Sequence, residues 1–214
     1  DPDCWVAILT GAGDKAFCSG GDQKERGQGG YAPGERPMDV EALHNAIRHI
    51  PKPVIAMVNG FAVGGGHVLH VLCDLSIASE SAIFGQTGPR VGSVDAGHGT
   101  GYLARVVGEK KAREIWYLCR QYSAPEALEM GLVNQVVSKD QLEAFTRDYA
   151  QTMARNAPLT LKAAKASVDE LVKPAAKRDT AMLDKLIADC FNSEDYQEGV
   201  RAFSEKRRPQ FKGR

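Results

Sequence analysis

Two glycine-rich turns, each placed just after a short apolar run, constrain this chain more than any other feature of its sequence. The first turn is Cys18-Ser19-Gly20-Gly21 and the second is Gly64-Gly65-Gly66. Short β-branched runs bounded by Gly and Pro, such as the one at 53–58, are typical of buried strands. The spacing of apolar residues after the second turn indicates a helix that begins directly at the glycines. The chain must therefore build strand, turn and helix in close succession.

Such turns can contribute to catalysis as well as to the fold. Backbone N–H groups freed at a turn, particularly at a helix N-terminus, can point together at one oxygen and stabilise negative charge. This reading predicts an oxyanion hole. The alternative is that the glycines only permit tight turns with positive φ. Neither turn is followed by the Lys-Ser or Lys-Thr of a phosphate loop, and neither is a dinucleotide fingerprint.

Periodicity divides the chain into an α/β part and a helical part. Short apolar runs at 75–78 and 82–84 predict further strands. One helix is expected before Pro51, with an apolar face formed by Leu43, Ala46, Ile47 and Ile50. Beyond Asp140 the pattern predicts amphipathic helices, whose apolar anchors are Leu159, Leu161, Leu171, Met182, Leu183, Leu186, Ile187 and Phe191. We therefore expect an α/β core over residues 1–137 and a helical region over residues 138–214.

Charge and composition exclude several classes of protein. The chain of 214 residues has 27 basic and 27 acidic side chains, so it lacks the charge excess that nucleic-acid binding needs. Its most apolar stretch, 63–78, contains His67, His70 and Asp74 and falls short of the ~20 apolar residues that span a bilayer. The five cysteines form no CxxC pair, which argues against a disulfide framework or a zinc site. We expect a cytoplasmic protein with no metal, no nucleic-acid partner and no membrane partner.

Four motifs resemble one known family in order and spacing. They are Lys-Ala-Phe-Cys-Ser-Gly-Gly-Asp at 15–22, Pro-Lys-Pro-Val-Ile-Ala at 51–56, Gly-Phe-Ala-Val-Gly-Gly-Gly at 60–66 and Cys-Asp-Leu at 73–75. On these motifs the chain is identified as a member of the crotonase (enoyl-CoA hydratase/isomerase) superfamily over essentially its whole length. The resemblance implies an α/β fold, a spiral of ββα units with a C-terminal helical region, in a homo-trimer or homo-hexamer. It also implies that a strand hairpin and a helix of the family would precede residue 1.

The resemblance implies an acyl-CoA thioester as substrate, with coenzyme A present only as part of it. The thioester oxygen would accept hydrogen bonds from the N–H groups of Gly21 and Gly65, and the chemistry would pass through an enolate. Hydratases of the family carry two glutamates, whose positions are occupied here by Val68 and Gly88. Water addition in the usual hydratase manner therefore lacks both of its carboxylates.

The segment from 84 to 95 resembles instead the carbon–carbon bond branch of the superfamily, the 1,4-dihydroxy-2-naphthoyl-CoA synthases of menaquinone biosynthesis. These enzymes close a ring by an intramolecular Claisen condensation of o-succinylbenzoyl-CoA. The resemblance implies that bicarbonate replaces the missing base carboxylate, that Gly88 leaves space there, and that the bicarbonate is held by Gln86, Thr87, Gly88 and Trp116. It also implies that Ser93 and Asp95 hydrogen-bond and protonate the second carbonyl-bearing group of the substrate, assisted by Tyr31.

Several of these side chains also have a plainer structural interpretation. Asp95 could cap the helix expected after Gly97, and Trp116 could belong to the core. The histidines His67, His70 and His98 have no metal-ligand spacing with nearby carboxylates, and we assign them structural roles.

One residue near the C-terminus is compatible with other activities of the superfamily. Phe191 stands where the synthases have a tyrosine that reaches the neighbouring subunit's site. The missing hydroxyl points to the ring-opening 2-ketocyclohexanecarboxyl-CoA hydrolases, which share an Asp equivalent to Asp95. Thr87, where those hydrolases have Val, favours the synthase. A generic hydratase or isomerase that uses Asp95 alone, and a non-catalytic acyl-CoA-binding scaffold, are the remaining alternatives.

Overall fold

The structure, a computed structural model, describes residue 1, residues 3–21 and residues 39–214. It divides into two compact units. The larger unit comprises Ile8–His49 and Val54–Thr146, and the smaller comprises Asp1–Ala7, Ile50–Pro53 and Arg147–Arg214. Neither unit is a single stretch of chain, so the division expected between residues 137 and 138 stays a prediction.

The strands of the described residues form two sheets of four. In the first sheet the order is β1 (Ala7–Thr10), β3 (Val54–Val58), β5 (Leu75–Ser79) and β8 (Gln135–Val137). In the second it is β2 (Ala16–Cys18), β4 (Phe61–Val63), β6 (Ile83–Gly85) and β7 (Tyr122–Ser123). Strands β3 and β5 are parallel, as are β4 and β6, whereas β6 and β7 are antiparallel. Strands β1 to β6 thus alternate between the two sheets, β7 stays in the second sheet beside β6, and β8 returns to the first.

A helix follows each of the first pairs of strands. These helices are α1 (Val40–His49) after β2, α2 (Gly65–Leu72) after β4 and α3 (His98–Val107) after β6. The chain continues with α4 (Glu109–Leu118), α5 (Ala124–Glu129), α6 (Leu142–Ala154), α7 (Pro158–Leu171), α8 (Thr180–Phe191) and α9 (Glu194–Ser204). Short 3₁₀ helices lie at Gly88–Val91 and Ala175–Lys177. The α/β prediction is confirmed, with β3-β4-α2 as the clearest ββα unit.

A buried asparagine joins two turns by hydrogen bonds, the turn between β1 and β2 and the turn between β3 and β4. Asn59, between β3 and β4, donates from Nδ2 to the carbonyl oxygens of Gly11 and Gly13 over 3.0 and 2.9 Å. Its Oδ1 accepts the Gly11 N–H over 3.2 Å. Around them the β3 and β5 side chains Ile55, Val58 and Ile77 are fully buried. This packing holds together the ends of β1 and β3 and the starts of β2 and β4, the two strands that lead to the glycine turns.

The helices near the C-terminus expose more apolar surface than the sequence predicts. Of the expected apolar anchors, Leu183 is buried, whereas Leu171, Ile187 and Phe191 are 53%, 51% and 60% exposed. A polar network holds the last residues instead. Glu198 of α9 accepts hydrogen bonds from Arg201, Arg207 and the backbone N–H of Gln210, and these contacts hold the pKa of its carboxyl well below the usual range.

All five cysteines are free, with Cys73 and Cys119 buried and Cys4 exposed. Across residues 3–21 and 39–214, no helix is both long enough and apolar enough to span a membrane.

Candidate active site

The second glycine turn leads directly into α2. Gly64 has a φ of 57°, which glycine adopts without strain, and its N–H donates to the carbonyl oxygen of Gly85 over 3.0 Å. This bond ties the turn to the end of β6. Gly65 is then the first residue of α2, so its N–H has no acceptor within the helix and lies at the positive end of the helix dipole. The arrangement suits an oxygen that gains negative charge.

The first glycine turn packs against the second, backbone on backbone. Gly20 has a φ of 86°, and a Cβ built on it would lie 3.2 Å from the backbone N of Gly65. A Cβ on Gly66 would overlap the carbonyl group of Cys18. Both turns therefore require glycine in order to touch. Since Gly21 directly follows Gly20, the structure brings Gly21 close to Gly65, and their joint role as an oxyanion hole stays a prediction.

Asp95 caps helix α3 and keeps one oxygen available. Its Oδ1 accepts hydrogen bonds from the backbone N–H groups of His98 and Gly99, each over 2.9 Å. The capping role that the sequence left open is therefore present. Among the residues that the structure describes, no group donates a hydrogen bond to Oδ2. A carboxylate held by one oxygen and open at the other can still move a proton.

Asp95 also lies beside the position of a hydratase glutamate. A Cβ built on Gly99 would lie 2.8 Å from the Asp95 Cβ and 3.0 Å from the Val68 Cγ2, so both side chains pack against the same glycine. Val68 follows Gly65 by one helical turn on the same face of α2, a rise of about 4.5 Å. Asp95 thus shares Gly99 as a neighbour with Val68, which lies about one turn along α2 from Gly65. Ser93 precedes Asp95, in a turn closed by a 2.9 Å hydrogen bond from its own N–H to the Gly88 carbonyl.

The space expected at Gly88 is absent. A Cβ there would lie 2.5 Å from the Ser93 carbonyl oxygen and 2.9 Å from Cζ3 of Trp116, so the prediction that Gly88 makes room for a carboxylate or its substitute is wrong. Trp116 is 7% exposed, and its indole N–H donates to the carbonyl oxygen of Gly99 over 3.1 Å. That N–H is already used, so the assignment of Trp116 as a bicarbonate ligand is wrong as well. Trp116 instead fixes Gly99, and through it the start of α3.

The other two residues assigned to bicarbonate face different partners. Gln86 is buried, and its Nε2 lies 3.2 Å from Nδ1 of His67. Thr87 lies at the second glycine turn, where its Oγ1 would be 2.9 Å from a Cβ on Gly64. Two of the four residues assigned to bicarbonate, Gln86 and Trp116, thus already have partners within the fold for their side-chain N–H groups. The donor set does not fit bicarbonate, and we assign bicarbonate no step.

Two histidines of α2 are buried and neutral. The rings of His67 and His70 meet edge to face with their centroids 4.9 Å apart, and both side chains are at most 1% exposed. Burial lowers the pKa of His67 to about 4 and the pKa of His70 well below its usual value. His70 Nδ1 lies 3.2 Å from the Ser76 hydroxyl. In the described ranges 3–21 and 39–214, no three His, Cys, Asp or Glu side chains are grouped to hold a metal.

A third buried histidine escaped the sequence analysis. His44 of α1 is 4% exposed, and its ring lies 4.9 Å from the ring of His98. Burial lowers the pKa of His44, and the nearby Asp95 carboxylate opposes that shift. The available signal was the spacing to Ile47, one turn later, which is the other buried residue of α1. Ile50, expected on the buried face, lies beyond the helix and is 36% exposed.

Two predicted site residues remain to be placed. Tyr31 lies outside the described residues. Phe191 ends α8, 60% exposed, with its ring centroid 5.1 Å from that of Tyr196. Its proposed equivalence to a tyrosine that reaches a neighbouring subunit stays a prediction.

The whole chain, residues 1–214, matches the family model described as enoyl-CoA hydratase/isomerase. The chain belongs to the enoyl-CoA hydratase/isomerase family. It is similar to an enoyl-CoA hydratase from Bacillus anthracis, with 36% identity and a TM-score of 0.90 over 98% of this chain and 82% of that one. It is also similar to an enoyl-CoA hydratase/carnithine racemase from Magnetospirillum magneticum, with 33% identity and a TM-score of 0.87 over 100% of this chain and 80% of that one. The predicted superfamily and its α/β fold are therefore confirmed.

Proposed function

We propose that this member of the enoyl-CoA hydratase/isomerase family makes or breaks a carbon–carbon bond of an acyl-CoA through a thioester enolate. One observation carries the proposal. Asp95 packs on the same glycine as Val68, and its Oδ2 accepts no hydrogen bond from the described residues, whereas the two positions that hold glutamates in hydratases are Val68 and the packed Gly88. A site with one such carboxylate cannot activate water with one glutamate and protonate carbon with another.

The glycine turns supply the electrostatic part of the reaction. The N–H groups of Gly21 and Gly65 would donate to the thioester oxygen, whose negative charge grows as the enolate forms. Fixed donors of this kind stabilise the transition state more than the ground state. No cofactor is needed for this step.

Asp95 supplies the proton transfers. As a carboxylate it takes the proton from the carbon next to the thioester, which leaves the enolate. The enolate carbon then bonds to the carbon of a second carbonyl group, and protonated Asp95 returns the proton to that carbonyl's oxygen. The proton is thus conserved within the site. Ser93, two residues before Asp95, would hydrogen-bond the same second carbonyl group. Ring opening runs in reverse and consumes water: water adds to the ring ketone, Asp95 takes a proton from a hydroxyl of the resulting gem-diol, the carbon–carbon bond breaks to a carboxyl group and the enolate, and Asp95 returns the proton to the enolate carbon.

The substrate we propose is o-succinylbenzoyl-CoA, whose benzoic acid carboxyl is the second carbonyl group. The gem-diol formed there by ring closure loses one water molecule, and the resulting ketone tautomerises to 1,4-dihydroxy-2-naphthoyl-CoA. Thr87 at the second glycine turn supports this choice over 2-ketocyclohexanecarboxyl-CoA, because the ring-opening hydrolases have Val at that position. The test supplies each thioester, and crotonyl-CoA, to the purified protein and follows products by chromatography. Turnover of the first supports the synthase, and turnover of the second alone supports the hydrolase. Rapid hydration of crotonyl-CoA with no turnover of the other two would overturn the proposal.

We also propose that the chain works as a homo-trimer or homo-hexamer. The support is the apolar surface of α8 and α9, where Ile187, Phe191, Val200 and Phe203 are 51%, 60%, 53% and 87% exposed. An apolar patch exposed on the surface of a protein often marks the interface with another chain. Sedimentation velocity should give a trimeric or hexameric mass, and Phe203→Glu should reduce it. A monomer at micromolar concentration would contradict this assembly.

A further inference from the structure

Three consecutive residues at the end of β6 contact the start of α2. The Gly85 carbonyl oxygen accepts the Gly64 N–H over 3.0 Å. The Oγ1 of Thr87 would lie 2.9 Å from a Cβ on Gly64. Between these two residues, the Gln86 side chain lies against His67 in the first turn of α2, with Nε2 3.2 Å from the imidazole Nδ1. A backbone bond and a side-chain bond thus hold the start of α2 against β6.

The hydrogen bond between His67 and Gln86 has a defined direction. An amide nitrogen donates and does not accept, so Nδ1 of His67 is the acceptor and the imidazole proton lies on Nε2. That Nε2 is buried and, within residues 3–21 and 39–214, has no hydrogen-bond partner. A buried donor without an acceptor destabilises a fold, so packing alone does not favour histidine at this position. Burial also lowers the pKa of His67 to about 4, which keeps Nδ1 unprotonated and able to accept at neutral pH.

We propose that His67 is a positioning residue, which through its bond to Gln86 keeps the Gly65 N–H directed at the thioester oxygen. The inference rests on the proposed function, in which this N–H is a donor of the oxyanion hole. Gly65 lies two residues before His67, and no hydrogen bond within α2 fixes the direction of its N–H. Such a donor must lie about 2.7–3.1 Å from the oxygen that gains charge, and a displacement of about 1 Å can slow a reaction about 10²-fold. The two bonds to β6 limit this displacement.

The test compares two replacements of His67. His67→Leu removes the acceptor and keeps an apolar side chain in its place, whereas His67→Asn puts an amide oxygen near the position of Nδ1. We expect His67→Leu to lower kcat and kcat/KM by the same factor, about tenfold, because the lost interaction acts in the transition state. His67→Asn should recover most of that rate. A His67→Leu enzyme with the parental kcat, or a His67→Asn enzyme as slow as His67→Leu, would overturn the inference.

The matched control is His70→Leu. His70 is buried on the same helix, but its Nδ1 lies 3.2 Å from the Ser76 hydroxyl, on β5 rather than at the end of β6. His70→Leu should therefore keep the parental kcat. If His70→Leu and His67→Leu lose kcat by the same factor, the loss comes from the packing of α2 and the proposal is refuted.

Gly65→Pro, which lacks the N–H in question, shows whether His67 acts through it. In that background His67→Leu should change kcat by about twofold or less, since the donor that it positions is gone. A further tenfold loss there would overturn the inference. If Gly65→Pro itself keeps the parental rate, the oxyanion hole of the proposed function fails and the inference fails with it. If Gly65→Pro is slow but His67→Leu is not, only the inference fails.

Amide hydrogen exchange tests the same contact without turnover. The Gly64 N–H, which donates to the Gly85 carbonyl oxygen, should lose protection in His67→Leu and keep it in His70→Leu. Should His67→Leu not fold, Gln86→Met removes the same bond from the other side, and we expect the same loss of rate and of protection. Equal protection of the Gly64 N–H in the parent and in the folded variant would refute the proposal.

Discussion

Replacing Gly65 by proline tests the oxyanion hole with little disturbance to the fold. Proline removes one backbone N–H that has no acceptor within α2, at the first helical position, where proline is favoured. Removing one donor from an oxyanion hole costs about 2.7–4 kcal/mol in the transition state. At about 1.4 kcal/mol per decade, kcat should fall by about 10²- to 10³-fold.

The matched control is Gly65→Ala, which keeps the N–H. Its added Cβ would lie 3.5 Å from the Cα of Gly20, an ordinary contact, so its rate should stay near that of the parent. We would measure initial rates with the acyl-CoA that the parent turns over, and the thermal unfolding of all three proteins. Together these measurements separate a loss of catalysis from a loss of folding. A folded Gly65→Pro enzyme as active as Gly65→Ala would refute the assignment of this N–H.

Three further predictions concern the neighbouring residues. Hydration of crotonyl-CoA should be negligible because Val68 and Gly88 supply no carboxylate, and a hydratase rate in the ordinary range of about 1–10³ per second would contradict this. Gly88→Ala should lower the free energy of unfolding, measured with denaturant, by about 1–3 kcal/mol. The reason is that the added methyl would lie 2.5 Å from the Ser93 carbonyl oxygen and 2.9 Å from Cζ3 of Trp116. An unchanged unfolding midpoint would show that the turn has room for the methyl group. Burial lowers the pKa of His67 from 6.5 to about 4. As the pH falls from 6.5 to 4, the unfolded chain therefore binds a proton at His67 before the folded chain does. The contribution of His67 to the free energy of unfolding should fall by about 3 kcal/mol over this pH range. His67→Gln should show a shallower slope in unfolding titrations, and equal slopes would mean that His67 takes up its proton at the same pH in the folded and in the unfolded chain.

The glycine turns were predictable from sequence because their geometry is local. A strand, a pair or triplet of glycines and a helix start occupy neighbouring positions, and Gly64 with its φ of 57° needs no distant residue to explain it. The contact between Gly20 and Gly65 is not local. It follows from the parallel pairing of β2 with β4, which places the ends of these strands side by side.

The misassigned residues depend on distant parts of the chain. The space beside Gly88 is filled by the Ser93 carbonyl and by Trp116 of α4, and no local pattern shows that these approach. For α1 the apolar pattern predicted a buried face with Ile47 and Ile50, and the packing of His44 next to His98 buries His44 and Ile47 instead. Leu171 belongs to an apolar pattern that predicts helices correctly but does not say whether the apolar side is covered within the chain.

In the proposed reaction one carboxylate, that of Asp95, moves the proton of an acyl-CoA whose thioester oxygen is bound at the glycine turns. Asp95→Asn tests it most directly, because asparagine caps helices about as well as aspartate and should leave α3 intact. Asp184→Asn, an exposed aspartate of α8, is the control. With the thioester that the parent turns over, the account predicts a loss of about 10²- to 10⁴-fold in kcat for Asp95→Asn alone, at an unchanged melting temperature. A folded Asp95→Asn enzyme that turns over this thioester at the parental rate would contradict it.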